Sequence, residues 1–132
     1  MEEDTLYNIL IAISIIGIIV ILVLIFTTKT TESFTELYFE DHQNLPNEIN
    51  LNEEYSFEFT IHNLENEKTN YNYKVYEVID DITYYIDSSS TTLDHNSTAT
   101  IEETFQISQD FETAKIVVEI NDQEIHFWVK QW

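Results

Sequence analysis

Two patterns of apolar and polar residues divide the chain. Leu6–Phe26, LYNILIAISIIGIIVILVLIF, is a 21-residue run without charge, and its only polar side chains are Tyr7, Asn8 and Ser14. At about 1.5 Å per residue, a helix of that length crosses a hydrocarbon core of roughly 30 Å. The run is apolar on every side, and the roughly 100 residues behind it are too few to enclose it as a core helix. It predicts a membrane span over residues 6–26, with an acidic N-tail at 1–5 and a polar linker at 27–33, TTKTTES.

Beyond the linker the period changes to two. In Tyr55–His62, YSFEFTIH, the apolar Tyr55, Phe57, Phe59 and Ile61 alternate with Ser56, Glu58, Thr60 and His62, which marks a strand with one buried and one wet face. Phe34–Phe39, a brief piece at Glu48–Asn52, Tyr71–Val78, Ile82–Asp87, Thr98–Ile107, Ala114–Ile120 and Glu124–Lys130 complete the set. Asn121-Asp122-Gln123 between the last two reads as a hairpin connection, and Ser88–Ser97, SSSTTLDHNS, as a loop tip. About seven short strands, with no helical period after Phe26, predict an all-β sandwich over residues 34–132. The single glycine is Gly17, inside the apolar run, so the turns must rely on Asn and Asp.

Composition narrows the picture. Eight Tyr, eight Phe and two Trp argue that the region past the anchor folds. The formal charge is −20, and beyond Thr31 stand 22 acids and four lysines. Such a field repels nucleic acid and anionic headgroups. Spread over many strands, it reads as a solvated surface. The chain has no Cys, hence no disulfide and no thiolate chemistry.

The flanks of the apolar run bear on topology. Met1–Thr5 is acidic, the apolar stretch exceeds a signal-peptide core, and no small-residue cleavage pattern follows Phe26. An uncleaved, single-pass anchor is expected. Lys29 alone would draw the domain inward, whereas Asn96-Ser97-Thr98 is a glycosylation sequon with meaning only outside.

Candidate chemistry is sparse. His42, His62, His95 and His126 form no ligand-spaced pair, so no metal site is expected. Glu53-Glu54 and Glu102-Glu103 point to opposite faces of strands, and Asp80-Asp81 lacks the glycine of a calcium loop. Glycine-based nucleotide and nucleophile motifs have no glycine past the anchor to use. No cofactor and no enzymatic activity are expected. Tyr76, Tyr85 and Trp128 fall opposite the better apolar stripes and, with Trp132, are the candidate partner contacts. Ser14 and Gly17 are the small residues through which the span could pack against another helix.

The stretch FTELYF, then the gap around Pro46, INLNEEYSFEFTIHN and YNYKVYEV resembles the ectodomain of the archaeal membrane proteins called domain of unknown function 1616. The closing IHFWVK is loosely similar. Asn52 stands where that family's turn usually has glycine, and members often carry several spans where this chain has one. The resemblance implies an immunoglobulin-like antiparallel sandwich outside an archaeal cell, and implies no activity.

The expectation is a non-enzymatic, single-pass protein of the cell membrane. Residues 6–26 lie in the bilayer, and an acidic immunoglobulin-like domain meets protein or envelope partners outside the cell. An accessory subunit of a larger membrane complex, or an archaellum-stator or pilus-like envelope component, is the alternative.

Overall fold

The computed structural model describes residues 2–27 and 32–132. The chain forms two compact units, Met1–Glu32 and Ser33–Trp132.

The first unit is one helix, α1 (Glu2–Thr27). It is the one helix among the described residues long and apolar enough to cross a membrane. Its start includes the acidic segment expected as a separate tail, because Glu3 and Asp4 in the first turn suit the positive end of the helix dipole. Ser14 turns its hydroxyl back onto the Leu10 carbonyl at 2.9 Å, and Thr27 does the same to Val23 at 2.8 Å. Of the expected linker, residues 28–31, Lys29 among them, lie outside the described residues.

The second unit is an immunoglobulin-like β-sandwich of eight strands: β1 (Phe34–Phe39), β2 (Glu48–Ile49), β3 (Tyr55–Leu64), β4 (Thr69–Ile79), β5 (Ile82–Leu93), β6 (Thr98–Phe105), β7 (Thr113–Ile120) and β8 (Gln123–Gln131). One sheet has the order β1-β3-β6 and the other β2-β8-β7-β4-β5. Neighbours pair antiparallel except the short β2, which lies parallel to the end of β8.

The alternating residues meet between the sheets. Phe57 of β3 packs edge-on to Phe127 of β8 at 5.2 Å, and Phe39 of β1 joins both rings at 5.8 and 5.3 Å. Phe59 meets Tyr73 of β4 at 5.5 Å. Edge-to-face packing of this kind adds about 0.5–1.5 kcal/mol per pair to the area it buries.

Two expectations change. Ser88–Leu93 is strand, the second half of β5, with Ser88 to Leu93 paired against Lys74 to Thr69. A run of Ser and Thr shows no polarity alternation, so its strand character is invisible to that signal. The β7–β8 connection is a two-residue turn, with Ile120 paired to Gln123.

Among the described residues seven have positive φ, and all are Asn or Asp: Asp41, Asn52, Asn66, Asp80, Asp81, Asn96 and Asn121. Asp80 and Asp81, at φ 50° and 64°, close the β4–β5 hairpin, whose two-residue turn fits the strand twist when both central residues are left-handed. Asn52, at φ 63°, takes the backbone conformation that glycine adopts most freely.

Candidate functional site

The outer face of the five-stranded sheet is built from the residues that alternate away from the core. Across β5, β4, β7 and β8 the register aligns Tyr85, Tyr76, Val117 and His126 in one row. The next row is Thr83, Val78, Lys115 and Trp128, and the row on the other side is Ser88, Lys74, Glu119 and Glu124. Tyr85 reaches this face because the β4–β5 register shifts between Val75 and Tyr76, leaving Ile86 as the extra residue. Plain alternation from the inward Asp87 would have turned Tyr85 toward the interior.

The sequence candidates on this face stand apart in exposure. Tyr85 is 72 % exposed and Trp128 56 %, whereas Tyr76 is half-buried and Val117 beneath the row is buried. The rings of Tyr76 and Tyr85 meet at 6.0 Å, and those of His126 and Trp128 at 6.1 Å. The Tyr76 hydroxyl donates to Glu119 Oε2 at 3.3 Å and, at 3.5 Å, to Glu124 Oε2. Burial first, then the two carboxylates, push its phenol up to about 12, so it stays a donor at any physiological pH. A cleft of about 300 Å³ opens beside this face between Lys115, Trp128, Thr113, Val78 and the Asp80-Asp81 turn. Trp132 is 82 % exposed, and its main chain is tied to the Ile49 carbonyl at 2.9 Å.

The outer face of the three-stranded sheet is carboxylate-rich. Glu58 and Glu102 sit directly opposite each other on β3 and β6. Glu40 lies alongside, its N–H donating to the Glu58 carbonyl at 2.9 Å. Glu40, Asp41, Glu58 and Glu102 together line a cavity of about 200 Å³. Among the described residues, no group of three or more Asp, Glu or His converges to hold a metal ion.

On the same face His62 joins Glu36 to the sequon. Its Nδ1 lies 2.8 Å from Glu36 Oε2 and its Nε2 3.1 Å from Asn96 Oδ1. The Glu36 carboxylate, then the Asn96 carbonyl, hold the imidazole above its ordinary pKa. Asn96 itself is exposed, in the turn before β6 at φ 62°.

Three of the buried polar groups had no role assigned from the sequence. Asn63 is fully buried at the end of β3 and satisfied on both sides of its amide. Glu103, on the inward side of β6, is pushed up to about 7 by burial, then by the Asp87 charge and by a hydrogen bond with Asp87. Glu77 faces inward from β4, where burial raises its pKa and its Oε2 has no hydrogen-bond partner among the described residues. An acid in the middle of an otherwise apolar stripe was the available signal for both carboxyls.

In the first unit, Ser14 and Gly17 stand on exposed helix surface, and a Cβ placed on Gly17 would meet nothing within 4 Å.

No family model and no curated protein matches the chain. Solved structures do. A β-glucosidase from Listeria innocua, in complex with glucose, matches at TM-score 0.63 and 17% identity over 75% of this chain and 16% of that one. A β-glucosidase from Erythrobacter marinus matches at TM-score 0.60 and 8% identity, over 76% of this chain and 16% of that one. The CARDB domain of a Pyrococcus furiosus protein, in complex with di-metal ions, matches at TM-score 0.57 and 14% identity. That match covers 79% of this chain and 97% of the domain, so the whole sandwich corresponds to a whole CARDB domain.

The β-glucosidases correct one expectation. Enzyme was excluded for want of a motif, yet the same sandwich occurs within enzyme chains, so neither the fold nor the missing motifs separate this protein from enzymes. The chain spans 16% of the length of those β-glucosidases, and identities of 8–18% carry the fold alone.

Proposed function

We propose that the chain is a single-pass membrane protein that displays an immunoglobulin-like domain at the cell surface, where the domain docks on protein or envelope partners. One observation carries this reading: a 26-residue helix, uncharged and apolar on every side over residues 6–26, and a sandwich occur as separate units of one chain. The likeness to a whole CARDB domain supports a self-sufficient module of this kind. The exposed Tyr85 and Trp128 supply large side chains of the type that anchor interfaces.

Placement outside the cell is supported by the exposed sequon Asn96 and by the resemblance of the Phe34–Val78 strands to the archaeal domain-of-unknown-function 1616 ectodomains. In this reading Asn96 carries a glycan beside His62. The test is protease treatment of intact cells, with intact mass of the recovered chain. Cleavage of the domain, and a mass increment lost in Asn96→Gln, are the expected results. A domain that survives while another surface protein is cut places it on the other side.

A further inference from the structure

A buried hydroxyl sits at the start of the sandwich. Thr35 occupies an inward position of β1, in the row that continues with Leu37 and Phe39. Its Oγ1 donates to Glu65 Oε1 at 2.7 Å and lies 2.9 Å from the Tyr71 hydroxyl. A hydroxyl has one proton to give, so Tyr71 is the donor in the second bond, and one lone pair on Oγ1 is left over. One partner satisfies a buried threonine, so the carboxylate beside it needs a reason. Glu65 is itself held. Its N–H donates at 2.9 Å to Oδ1 of the buried Asn63, the residue paired with Thr35 across β1 and β3. A hydroxyl, a carboxylate within hydrogen-bond reach and a third group that fixes the carboxylate are the parts of an activated nucleophile.

The remaining part is an acyl group, and Gln123 supplies it. This residue opens β8, and its Nε2 donates to the Thr35 main-chain carbonyl at 3.1 Å, between positions 88 apart in the chain. Thr35, Glu65, Tyr71 and Gln123 line one cavity of about 120 Å³. The Gln123 amide carbon is therefore one bond from an atom held on the nucleophile's own residue. Gln123 is otherwise exposed, so its side chain is free to turn that carbon onto Oγ1.

We propose that Thr35 and Gln123 form an intramolecular ester that joins β1 to β8. Glu65 takes the hydroxyl proton as the Oγ1 lone pair bonds to Gln123 Cδ. The carbonyl π pair moves onto Gln123 Oε1 and returns as the Cδ–Nε2 bond breaks. The nitrogen leaves with that bonding pair, receives the proton from Glu65 and departs as ammonia. One hydroxyl and one carboxamide become one ester and one ammonia, with no co-reactant. Tyr71 and Ile120, both fully buried, wall the cavity and shield the ester from water. The link closes β1 to β8 into one covalent loop. In a chain without Cys it stands where a disulfide would. It requires neither a particular side of the membrane nor a partner.

The test is the mass of the full chain, made in a host that adds no glycan and held in mild detergent. A cooperative change of Trp fluorescence in urea establishes that the chain is folded before its mass is taken. The expected mass lies about 17 Da below that of the sequence, the loss of one ammonia. Cleavage after lysine puts Thr35 in residues 30–68 and Gln123 in residues 116–130. These two peptides are expected as one joined species that hydroxylamine separates, as it does esters.

Thr35→Ser keeps the hydroxyl and should keep the link. Thr35→Val and Gln123→Leu should each give the full mass and separate peptides, and Gln123→Leu changes an exposed position that leaves the core intact. Glu65→Gln should lower the joined fraction about tenfold or more, as loss of a general base does. A folded chain of full mass with separate peptides overturns the ester and leaves the four residues as a hydrogen-bonded seal. A deficit confined to one peptide is a succinimide at an asparagine and overturns it as well. So does a joined species that resists hydroxylamine or persists in Thr35→Val.

Discussion

The Asn63 side-chain amide donates to the main-chain carbonyl of Leu93 at 2.8 Å, across from the end of β3 to the end of β5. Its second N–H reaches the Glu67 carbonyl at 2.8 Å, and its Oδ1 accepts the Glu65 N–H at 2.9 Å. The Asn63 main chain also accepts from Asn96 N–H and donates to the Ser97 carbonyl. One fully buried residue thus ties the β3–β4 turn to the β5–β6 turn, and so joins the two sheets at the sequon end of the sandwich.

Removing that side chain leaves buried partners unpaired. Asn63→Ala is expected to destabilise the domain by about 2–4 kcal/mol, since each orphaned buried group costs about 1–3 kcal/mol. Asn63→Asp keeps the acceptor and loses both donors, so it should be at least as damaging. Urea unfolding of the full chain in mild detergent, followed by Trp fluorescence, measures both. A loss below about 0.5 kcal/mol, the size of an ordinary surface change, would show that the hub is dispensable.

Adjacent residues of β8 provide an internal contrast. Phe127 is buried among Phe39, Phe57 and Phe105, whereas Trp128 points outward at 56 % exposure. Phe127→Ala should cost about 3–5 kcal/mol through lost transfer energy and the cavity left behind. Trp128→Ser should stay within about 0.5–1 kcal/mol, as surface substitutions do. Equal losses in the same unfolding assay would mean that the register of β8 is reversed.

How far the fold could be read follows from where polarity alternates. Tyr55–His62 and Glu124–Lys130 alternate cleanly, and both are strands with the expected faces, except that Thr60, expected wet, is buried beneath Glu40 and Thr100. Ser88–Leu93 does not alternate, so it was not legible as a strand, whereas the brief extended piece expected at Glu48–Asn52 is β2, pairing through only two residues. Trp128 and Tyr76 were placed on the outer face by alternation alone. The shared face of Lys74, Lys115 and Lys130 depends on which strands are neighbours, and pairing order is a tertiary property. Asn63 read as the start of a polar connection, because an asparagine at a strand end looks the same whether it meets water or two carbonyls.

The left-handed turns yield a prediction about asparagine. Asn52 holds φ 63°, and its carbonyl accepts from the Gln106 side chain at 2.6 Å while its N–H donates to the Ile107 carbonyl at 2.9 Å. Asn52→Gly keeps those main-chain bonds in a conformation glycine adopts freely, so stability should change by no more than about 0.5 kcal/mol. Asn52→Val puts a β-branched residue at positive φ and should cost about 1–2 kcal/mol or more. Thermal melts of the two variants distinguish backbone conformation from side-chain loss, because both remove the same amide. Similar melts for both would sink the conformational explanation.

The buried carboxyls set a pH dependence with a definite sign. Glu103 has an ordinary value of 4.5 that the fold pushes up to about 7, chiefly by burial and then by Asp87, and Glu77 is raised in the same direction by burial alone. A raised carboxyl keeps its proton in the folded state after the unfolded chain has lost it. Its contribution is therefore fully present below the unfolded value and is lost as pH rises through the folded one. The melting temperature should fall steadily between about pH 4.5 and pH 7.5, and the general repulsion of an acidic chain adds to the same trend. Glu103→Gln removes the titration while preserving the shape, so its melting curve should flatten most across that window. Glu112→Gln, which deletes one exposed acid, controls for net charge. If Glu103→Gln tracks Glu112→Gln at every pH, the carboxyl does not hold its proton in the fold, and the slope belongs to surface charge alone.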